Sequence, residues 1–393
     1  MKKKKIIVGI CGSVAAFKAI QLISDLYKMD YELEVVMSES ASRFVTPLSI
    51  QSIIKKKVYI NVFDDDPDKI THIDIVKNAD LFIIVPATAN TIAKITYGLS
   101  DNMLTASFLA ATCTKMIAPA MNVHMYENQV TQKNIQKCKD LGIMFIEPTS
   151  GLLACGDTGK GKLANQEDIL SYIEYALSPK PLKGKNVLIT AGPTIEEIDP
   201  VRYITNHSSG KMGYALAKAA FNLGATTTLI SGPTTLKVPL GVQFIAVKSS
   251  KEMFEQCKKL YTYQDYIVKA AAVGDYSPIH YSNEKIKKKD STLNIELKKN
   301  EDILAYLGKH KTNQKICGFA METENLIENA TLKLKSKNCD MLVANSLKEK
   351  GAGFQGDTNV VTLLFKDYSK KLELMDKNKL AYIILEELMK CGG

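Results

Sequence analysis

Twice along this chain a short, unbroken apolar run opens a series in which such runs alternate with helix-length patterns. The first series begins at Lys5–Cys11 and continues through Glu32–Ser38, Leu81–Pro86, Lys115–Ala118 and Gly142–Ile146. The second begins at Lys185–Ala191 and continues through Thr226–Ser231 and Tyr266–Ala272. The two opening runs are short, and their apolar residues are consecutive rather than alternate. A strand covered on both faces reads this way, and such strands belong to parallel sheets flanked by crossover helices. The chain is therefore expected to be α/β, with two parallel sheets built from βαβ units. The series restarts after Ser178-Pro179-Lys180-Pro181, where two prolines so close cannot sit inside a helix. The expected domains are 1–178 and 183–393. Each is long enough to bury its own core, and ligands are expected at the carboxyl ends of the strands.

Composition narrows the partners. Hydrophobic residues make up 46% of the 393 and charged residues 24%, as in ordinary globular proteins. The net charge of +9 is either a solvated Lys-rich surface or an attraction for small anions such as phosphates. The lysines are scattered without an aromatic-plus-basic stripe, so no nucleic-acid partner is expected. The eight cysteines form no C-x-x-C pair, which argues against a zinc site and for a reduced, cytoplasmic protein. Met1–Lys5 is basic like the start of a signal peptide, but the apolar run after it is short and passes into Gly9–Ser13. It reads as a first strand, and no membrane partner is expected.

Several turns in the first series carry candidate chemistry. Gly12-Ser13 follows the first strand and precedes a helical pattern, where free amides and a hydroxyl can meet a phosphate. Pro86-Ala87-Thr88-Ala89-Asn90-Thr91 follows the third strand. It suits either a flavin-like ring and its chain or a plain helix start capped by Thr88 or Asn90. Further along stand Thr71-His72-Ile73, Pro119-Ala120-Met121-Asn122 and Ala154-Cys155-Gly156. Cys155 falls within the Gly-rich stretch Pro148–Lys162, which reads as a surface loop, the expected place for a working thiol.

Taken together and in this order, these pieces resemble the phosphopantothenoylcysteine decarboxylase family of flavoproteins over nearly all of residues 5–175. The resemblance implies a flavodoxin-like FMN-binding domain that assembles as trimers. Its FMN contacts would fall on Gly12, Ser13, Ser38, Pro86, Thr88, Asn90 and Thr91. It implies that His72 is the catalytic histidine, that Asn122 binds the substrate carboxylate region, and that Cys155, on a flap, donates the final proton. An acyl-cysteine carboxylate lacks an electron sink for CO2 loss; oxidation of the thiol side by FMN supplies one, and the electrons return afterwards. Tyr126 follows Met125 where the family often has Trp, a departure that leaves the polar roles untouched.

The second series has its own set. Thr190-Ala191-Gly192-Pro193-Thr194 ends its first strand, and Ile198-Asp199-Pro200-Val201-Arg202 follows. Asn206-His207-Ser208-Ser209-Gly210-Lys211-Met212-Gly213 leads into a helix, with Ser209 the expected N-cap and a phosphate the expected ligand. No Walker A loop is present. Asp275, after Ala270–Gly274, suits a metal or nucleotide hydroxyl, or a turn or cap. Lys285-Ile286-Lys287-Lys288-Lys289, within the loop-like stretch Asn283–Asp290, suits either a solvated charge run or a triphosphate. Lys333 and Lys337 are spaced to share one helix face.

This set resembles the phosphopantothenate–cysteine ligase family over about 185–365, through Asp-Pro-Val-Arg, Asn-x-Ser-Ser-Gly and Lys-Ile-Lys-Lys. The resemblance implies a Rossmann-like α/β ligase domain that uses CTP and Mg2+. The carboxylate of 4'-phosphopantothenate would attack the α-phosphate, and L-cysteine would then displace CMP from the acyl-cytidylate. Lys285 would assist the first step and Asn206 the second. CTP would contact Ala271, Ala272, Val273, Asp275, Lys285, Asn300, Glu301, Asp302, Ile303, Phe319, Lys333 and Lys337. Gly274 stands where Ala is common, which should loosen its loop slightly. Trimeric and dimeric halves together imply a homo-oligomer, a dodecamer. A nicotinamide-dependent oxidoreductase is disfavoured by the missing glycine fingerprints. A regulatory flavoprotein is disfavoured by the presence of Cys155 and Lys285.

Overall fold

The computed structural model describes residues 3–63, 70–152, 156–287, 292–322, 326–346 and 356–391. The chain divides into two compact units, Met1–Ser178 and Pro179–Gly393.

In the first unit, β1 (Lys5–Ile10), β2 (Glu32–Met37), β3 (Val58–Tyr59), β4 (Leu81–Ala87), β5 (Thr114–Pro119) and β6 (Met144–Phe145) form one sheet in the order β3-β2-β1-β4-β5-β6. Every pairing in it is parallel. All seven residues of β4 are buried, as its unbroken apolar run requires. Without the two-residue edge strand β3, the order is the flavodoxin-like 2-1-3-4-5. The helix Ala16–Lys28 turns Ala16, Ala19, Leu22, Ile23 and Leu26 onto the sheet, a three-four spacing that gives one apolar face.

Two expectations change. The strand expected over Gly142–Ile146 shrinks to β6, because the Gly142 and Ile143 amides donate to Lys139 and Cys138 carbonyls at the end of the helix Gln129–Asp140. Amides spent on capping cannot join the sheet. The stretch Pro148–Lys162, expected to be loop, contains an antiparallel hairpin of β7 (Thr149–Leu152) and β8 (Thr158–Lys162). Glycine-rich strands carry no apolar alternation, so their backbone pairing leaves no signal in a hydrophobic pattern.

In the second unit, β9 (Asn186–Ala191), β12 (Thr226–Ser231), β13 (Gln243–Ala246), β14 (Tyr266–Lys269), β17 (Lys315–Glu322), β18 (Met341–Ser346), β20 (Val361–Leu364) and β21 (Ser369–Lys371) share a sheet in the order β13-β12-β9-β14-β17-β18-β20-β21. The first six are parallel in the Rossmann-like order 3-2-1-4-5-6, and the last two add antiparallel. Small ribbons surround it: β10 (Ile195–Glu197) with β11 (Tyr203–Thr205), β15 (Tyr276–Pro278) with β16 (Leu297–Lys299), and β19 (Thr358–Asn359) with β22 (Met375–Asp376). The helices Lys211–Asn222 and Lys377–Lys390 cover one face of the sheet.

One carboxylate ties the hairpin to its unit. Glu147 accepts from Tyr126 at 3.0 Å, from Lys139 at 2.9 Å and from Lys160 of β8 at 2.8 Å. Burial works to raise its pKa, but Lys160, Lys139 and Tyr126 hold it down to about 2. A group depressed in this way stabilises the fold fully above the ordinary carboxylate range, and that contribution fades as the pH falls toward about 2. The side chain is 46% exposed, so solvent screening leaves about 1 kcal/mol. Glu147→Gln should lower Tm by about 2–4 °C at neutral pH. The gap to the natural protein should close on acidification below pH ~4, as followed by thermal melts in a pH series. A gap that does not change with pH would contradict this account.

Candidate active sites

In both sheets the winding reverses at the first strand, between β1 and β4 and between β9 and β14. Crevices form outside the carboxyl ends of strands at such points.

At the first reversal, the turns after β1, β2 and β4 meet. The Cys11 amide donates to the Pro86 carbonyl at 3.2 Å, and the Ser38 amide donates to the Ile10 carbonyl at 2.9 Å. The Cys11 thiol, raised in pKa by burial, donates to the Thr91 hydroxyl at 3.1 Å. Gly12 lies so close to Ser40 that a side chain there would stand 2.4 Å from its Cβ. Thr88 caps the helix Ala89–Tyr97 by accepting from the Thr91 amide at 3.3 Å, so the capping role falls to Thr88 and not Asn90. Ser38 likewise caps by accepting from Ala41. The helix after β1 begins at Ala16, three residues beyond Ser13, whose hydroxyl accepts from the Ala15 amide. Asn90 is exposed, and Pro86 follows a cis Val85-Pro86 bond.

Asn122 sits after β5 and caps the helix Val123–Glu127 through its Oδ1, which accepts from the His124 amide at 2.8 Å. Its Nδ2 donates to Asp157 at 2.7 Å, and the Met121 amide donates to the Gly161 carbonyl of β8. The Pro-Ala-Met-Asn turn is thus fastened by two bonds to the arm of the hairpin that follows residues 153–155. Cys155 itself lies outside the described residues. His72 is half-buried in the four-residue helix Thr71–Asp74. Among the described residues no hydrogen bond joins it to the Asn122–Asp157 or Thr88–Thr91 pairs.

At the second reversal, a cavity of about 100 Å³ is lined by Val273, Asp275, Asn300, Glu301, Asp302, Ile303, Phe319 and Lys333, with Lys269 and Lys299. Lys337 pairs with Asp302 at 2.8 Å and, against the effect of burial, keeps that carboxyl below its usual range. The helix Leu326–Ser336 carries Lys333, whereas Lys337 lies one residue beyond its end. A second cavity of about 190 Å³ is lined by Ser208–Gly213, Ala271, Ala272, Phe319, Asn345 and Lys377. Phe319 belongs to both walls. Asn206 donates to the carbonyls of Ala272 and Val273 at 3.3 and 3.2 Å. The Gly274 amide donates to the Thr194 hydroxyl and its carbonyl accepts from Asn300, so this loop is tied at both groups rather than loosened.

The expected cap of the helix Lys211–Asn222 is corrected: Gly210 is the N-cap, and no side chain caps it. Ser208 accepts from the Gly210 amide instead, at 3.4 Å. Gly213 lets the helix start press on β9, since a Cβ there would lie 2.4 Å from that of Ala191. The helix amides are thereby brought to the strand ends.

Lys285 is exposed and lines neither cavity. Its position is set through its neighbour. The Ile286 amide donates to Asp199 at 3.1 Å, and the Ile286 carbonyl accepts from Arg202 at 2.6 Å. Asp199 is 1% exposed and also accepts from the Val201 and Arg202 amides at 2.8 Å and pairs with the Arg202 guanidinium at 2.7 Å. Burial would raise its pKa; these donors hold it well below the carboxylate range.

Comparison with known proteins agrees with this geometry. Residues 1–178 match the family described as Flavoprotein, and 182–391 match the DNA/pantothenate metabolism flavoprotein C-terminal domain. The coenzyme A biosynthesis bifunctional protein of Bacillus subtilis is 45% identical over 99% of this chain and 97% of its own length. The chain belongs to the bifunctional coenzyme A biosynthesis family. The Borreliella burgdorferi member of this family is 42% identical over 98% of the chain and 99% of its own length. A protein called cysteine/cysteine sulfinic acid decarboxylase, from an unknown prokaryote, is 44% identical over 88% of the chain and 99% of its own length.

Several polar residues of the rear cavities escape the motif reading: Lys269, Lys299, Asn345, Asn359 and Lys377. Lys269 and Asn345 stand at or near the carboxyl ends of parallel strands, which is the signal that would have found them. Lys377 opens the last helix, after the parallel strands have ended, and has no such signal.

Asp199→Asn should keep an acceptor for the backbone amides but lose the Arg202 charge pair. Hydrogen exchange at the Ile286 amide should quicken about tenfold or more, while the β9 amides are unchanged. Equal exchange at Ile286 in both forms would show that Asp199 does not hold this segment.

Proposed function

We propose that this chain carries out two consecutive steps of coenzyme A biosynthesis. The rear unit joins 4'-phosphopantothenate to L-cysteine at the expense of CTP. The front unit decarboxylates the resulting 4'-phosphopantothenoylcysteine to 4'-phosphopantetheine with FMN. The observation that carries the reading is the hold of Asn206 on the Ala272 and Val273 carbonyls, beside a cavity lined by Asp275, Asn300–Ile303, Phe319 and Lys333.

In the rear unit the nucleotide occupies that cavity, and its phosphates lie toward the helix start at Gly210–Gly213, with Lys211 and Lys377 nearby. The phosphopantothenate carboxylate attacks the α-phosphorus and pyrophosphate leaves; Lys285 neutralises charge as it builds. Asn206 then holds the acyl-cytidylate while the cysteine amine attacks its carbonyl and CMP departs. Mg2+ travels with the triphosphate, since among the described residues no group of three His, Cys, Asp or Glu side chains is placed to hold a metal.

In the front unit, the hydroxyls of Ser13, Ser38, Thr88 and Thr91 and the exposed Asn90 amide, beside the close-packed turn at Gly12, suit a phosphate-bearing flavin. FMN, when bound, accepts and returns two electrons, which gives the decarboxylation its electron sink. Asn122, fixed by its bonds to His124 and Asp157, orients the substrate carboxylate. His72 acts beside the reacting thiol, and Cys155 delivers the last proton. The described cysteines are all free, which suits a reduced cytoplasmic setting, and no described helix is long and apolar enough to cross a membrane. We also propose a homo-oligomer, a dodecamer.

The test is a coupled assay with phosphopantothenate, cysteine, CTP and magnesium. The protein should be yellow, CMP release should require phosphopantothenate, and CO2 release should further require cysteine. CO2 from free cysteine alone, without the acyl substrate, would overturn the front-unit reading. No CMP from CTP would overturn the rear. Cys155→Ser should accumulate a decarboxylated, still oxidised product. Asn206→Ala should accumulate acyl-cytidylate, with amide formation slowed about a hundredfold or more; mass spectrometry of quenched reactions reads both.

A further inference from the structure

The smaller rear cavity contains a lysine that the proposed mechanism leaves unused. Lys269 is the last residue of β14 and lines the cavity together with Asp275, Asp302, Phe319 and Lys333. Its ammonium donates to the Ala271 carbonyl at 3.2 Å. An ammonium has three donors, so two remain. Among the described residues no carboxylate lies within 4.0 Å of Lys269 or of Lys333, while Lys337 already occupies Asp302. Burial, and then the charge of Lys333, push the Lys269 amine down; Asp302 and Asp275 oppose this from further away. A buried cation with idle donors is costly unless a ligand acceptor fills them.

The size of the cavity says what kind of acceptor. A space of about 100 Å³ is on the scale of the ~150 Å³ cavity that takes a single benzene ring, so it suits one planar ring better than a fused pair. A pyrimidine of this size carries a carbonyl oxygen at position 2, and adenine carries no exocyclic carbonyl at all. We propose that Lys269 is a specificity-determining residue that selects a pyrimidine nucleotide by donating to the 2-carbonyl oxygen of its ring. The assignment rests on the CTP reading of the rear unit and goes beyond it by naming the donor that reads the base.

The experiment compares CMP release from CTP with release of the thio-nucleotide from 2-thio-CTP, whose sulfur is a poorer acceptor, and AMP release from ATP. The natural protein should use 2-thio-CTP about 10- to 100-fold less efficiently than CTP. Lys269→Met should lower kcat/KM for CTP by a similar factor, mostly through KM, erase the preference for oxygen over sulfur, and leave ATP use unchanged. Lys269→Gln, which keeps a donor, should recover part of the preference. Retained decarboxylation by the front unit and an unshifted thermal melt report that the variants are folded. A natural protein that uses CTP and 2-thio-CTP equally overturns the assignment alone, whatever the variants do. Equal losses for CTP and ATP in Lys269→Met also overturn it, since they mark a structural role. A natural protein that releases no CMP overturns the CTP reading and the assignment with it.

Discussion

Parallel pairing is the constraint on which both sites depend. When β1 pairs in parallel with β2 and β4, and β9 with β12 and β14, the carboxyl ends of all three strands must leave the sheet on one edge. The connections then wind away on opposite sides, and the turns after the central strand and its neighbours are left facing one another. Residues as distant in sequence as Cys11 and Pro86, or Thr190 and Ala271, become hydrogen-bonded neighbours for that reason. The chemistry was not gathered by any single motif; it was gathered by the sheet.

What the sheet gathers, buried polar groups hold in place. Glu196 is 5% exposed and accepts from the Thr194 hydroxyl and the Ser250 amide, while Thr194 accepts from Gly274. Asp199 does the same for the segment carrying Lys285. Each is a carboxylate whose lone pairs are filled by donors from separate parts of the chain. Removing one donor leaves a buried charge exposed to its full desolvation cost, so such knots favour a single arrangement of the loops they join.

The fold was legible because the central strands β1, β4 and β9 are buried on both faces and read as apolar runs. The strands β3, β10, β11, β13, β15, β16, β19, β21 and β22 were not, being short or peripheral, and β18 and β20 were passed over although Met341–Ala344 and Val360–Phe365 are apolar runs. The hairpin β7–β8 was missed for a related reason: Ser150-Gly151 and Thr158-Gly159-Lys160-Gly161 have no side-chain periodicity to read. In the rear site the motif reading found the loop residues around Phe319 but not Lys269, which hides as one charge at the end of an apolar strand. It also took Asp-Pro-Val-Arg as a family mark without a role. The structure gives it one, as the clamp on Ile286.

Phe319 forms part of the wall of two separate cavities, one rich in charged groups, the other formed at a helix start and more apolar. Small fragments that bind weakly on either side of this ring could be joined across it with a short link. The second fragment would then meet its cavity at an effective concentration of roughly millimolar, so the joined molecule would gain affinity without any new contact. The shared aromatic wall therefore makes this enzyme family a natural subject for fragment linking.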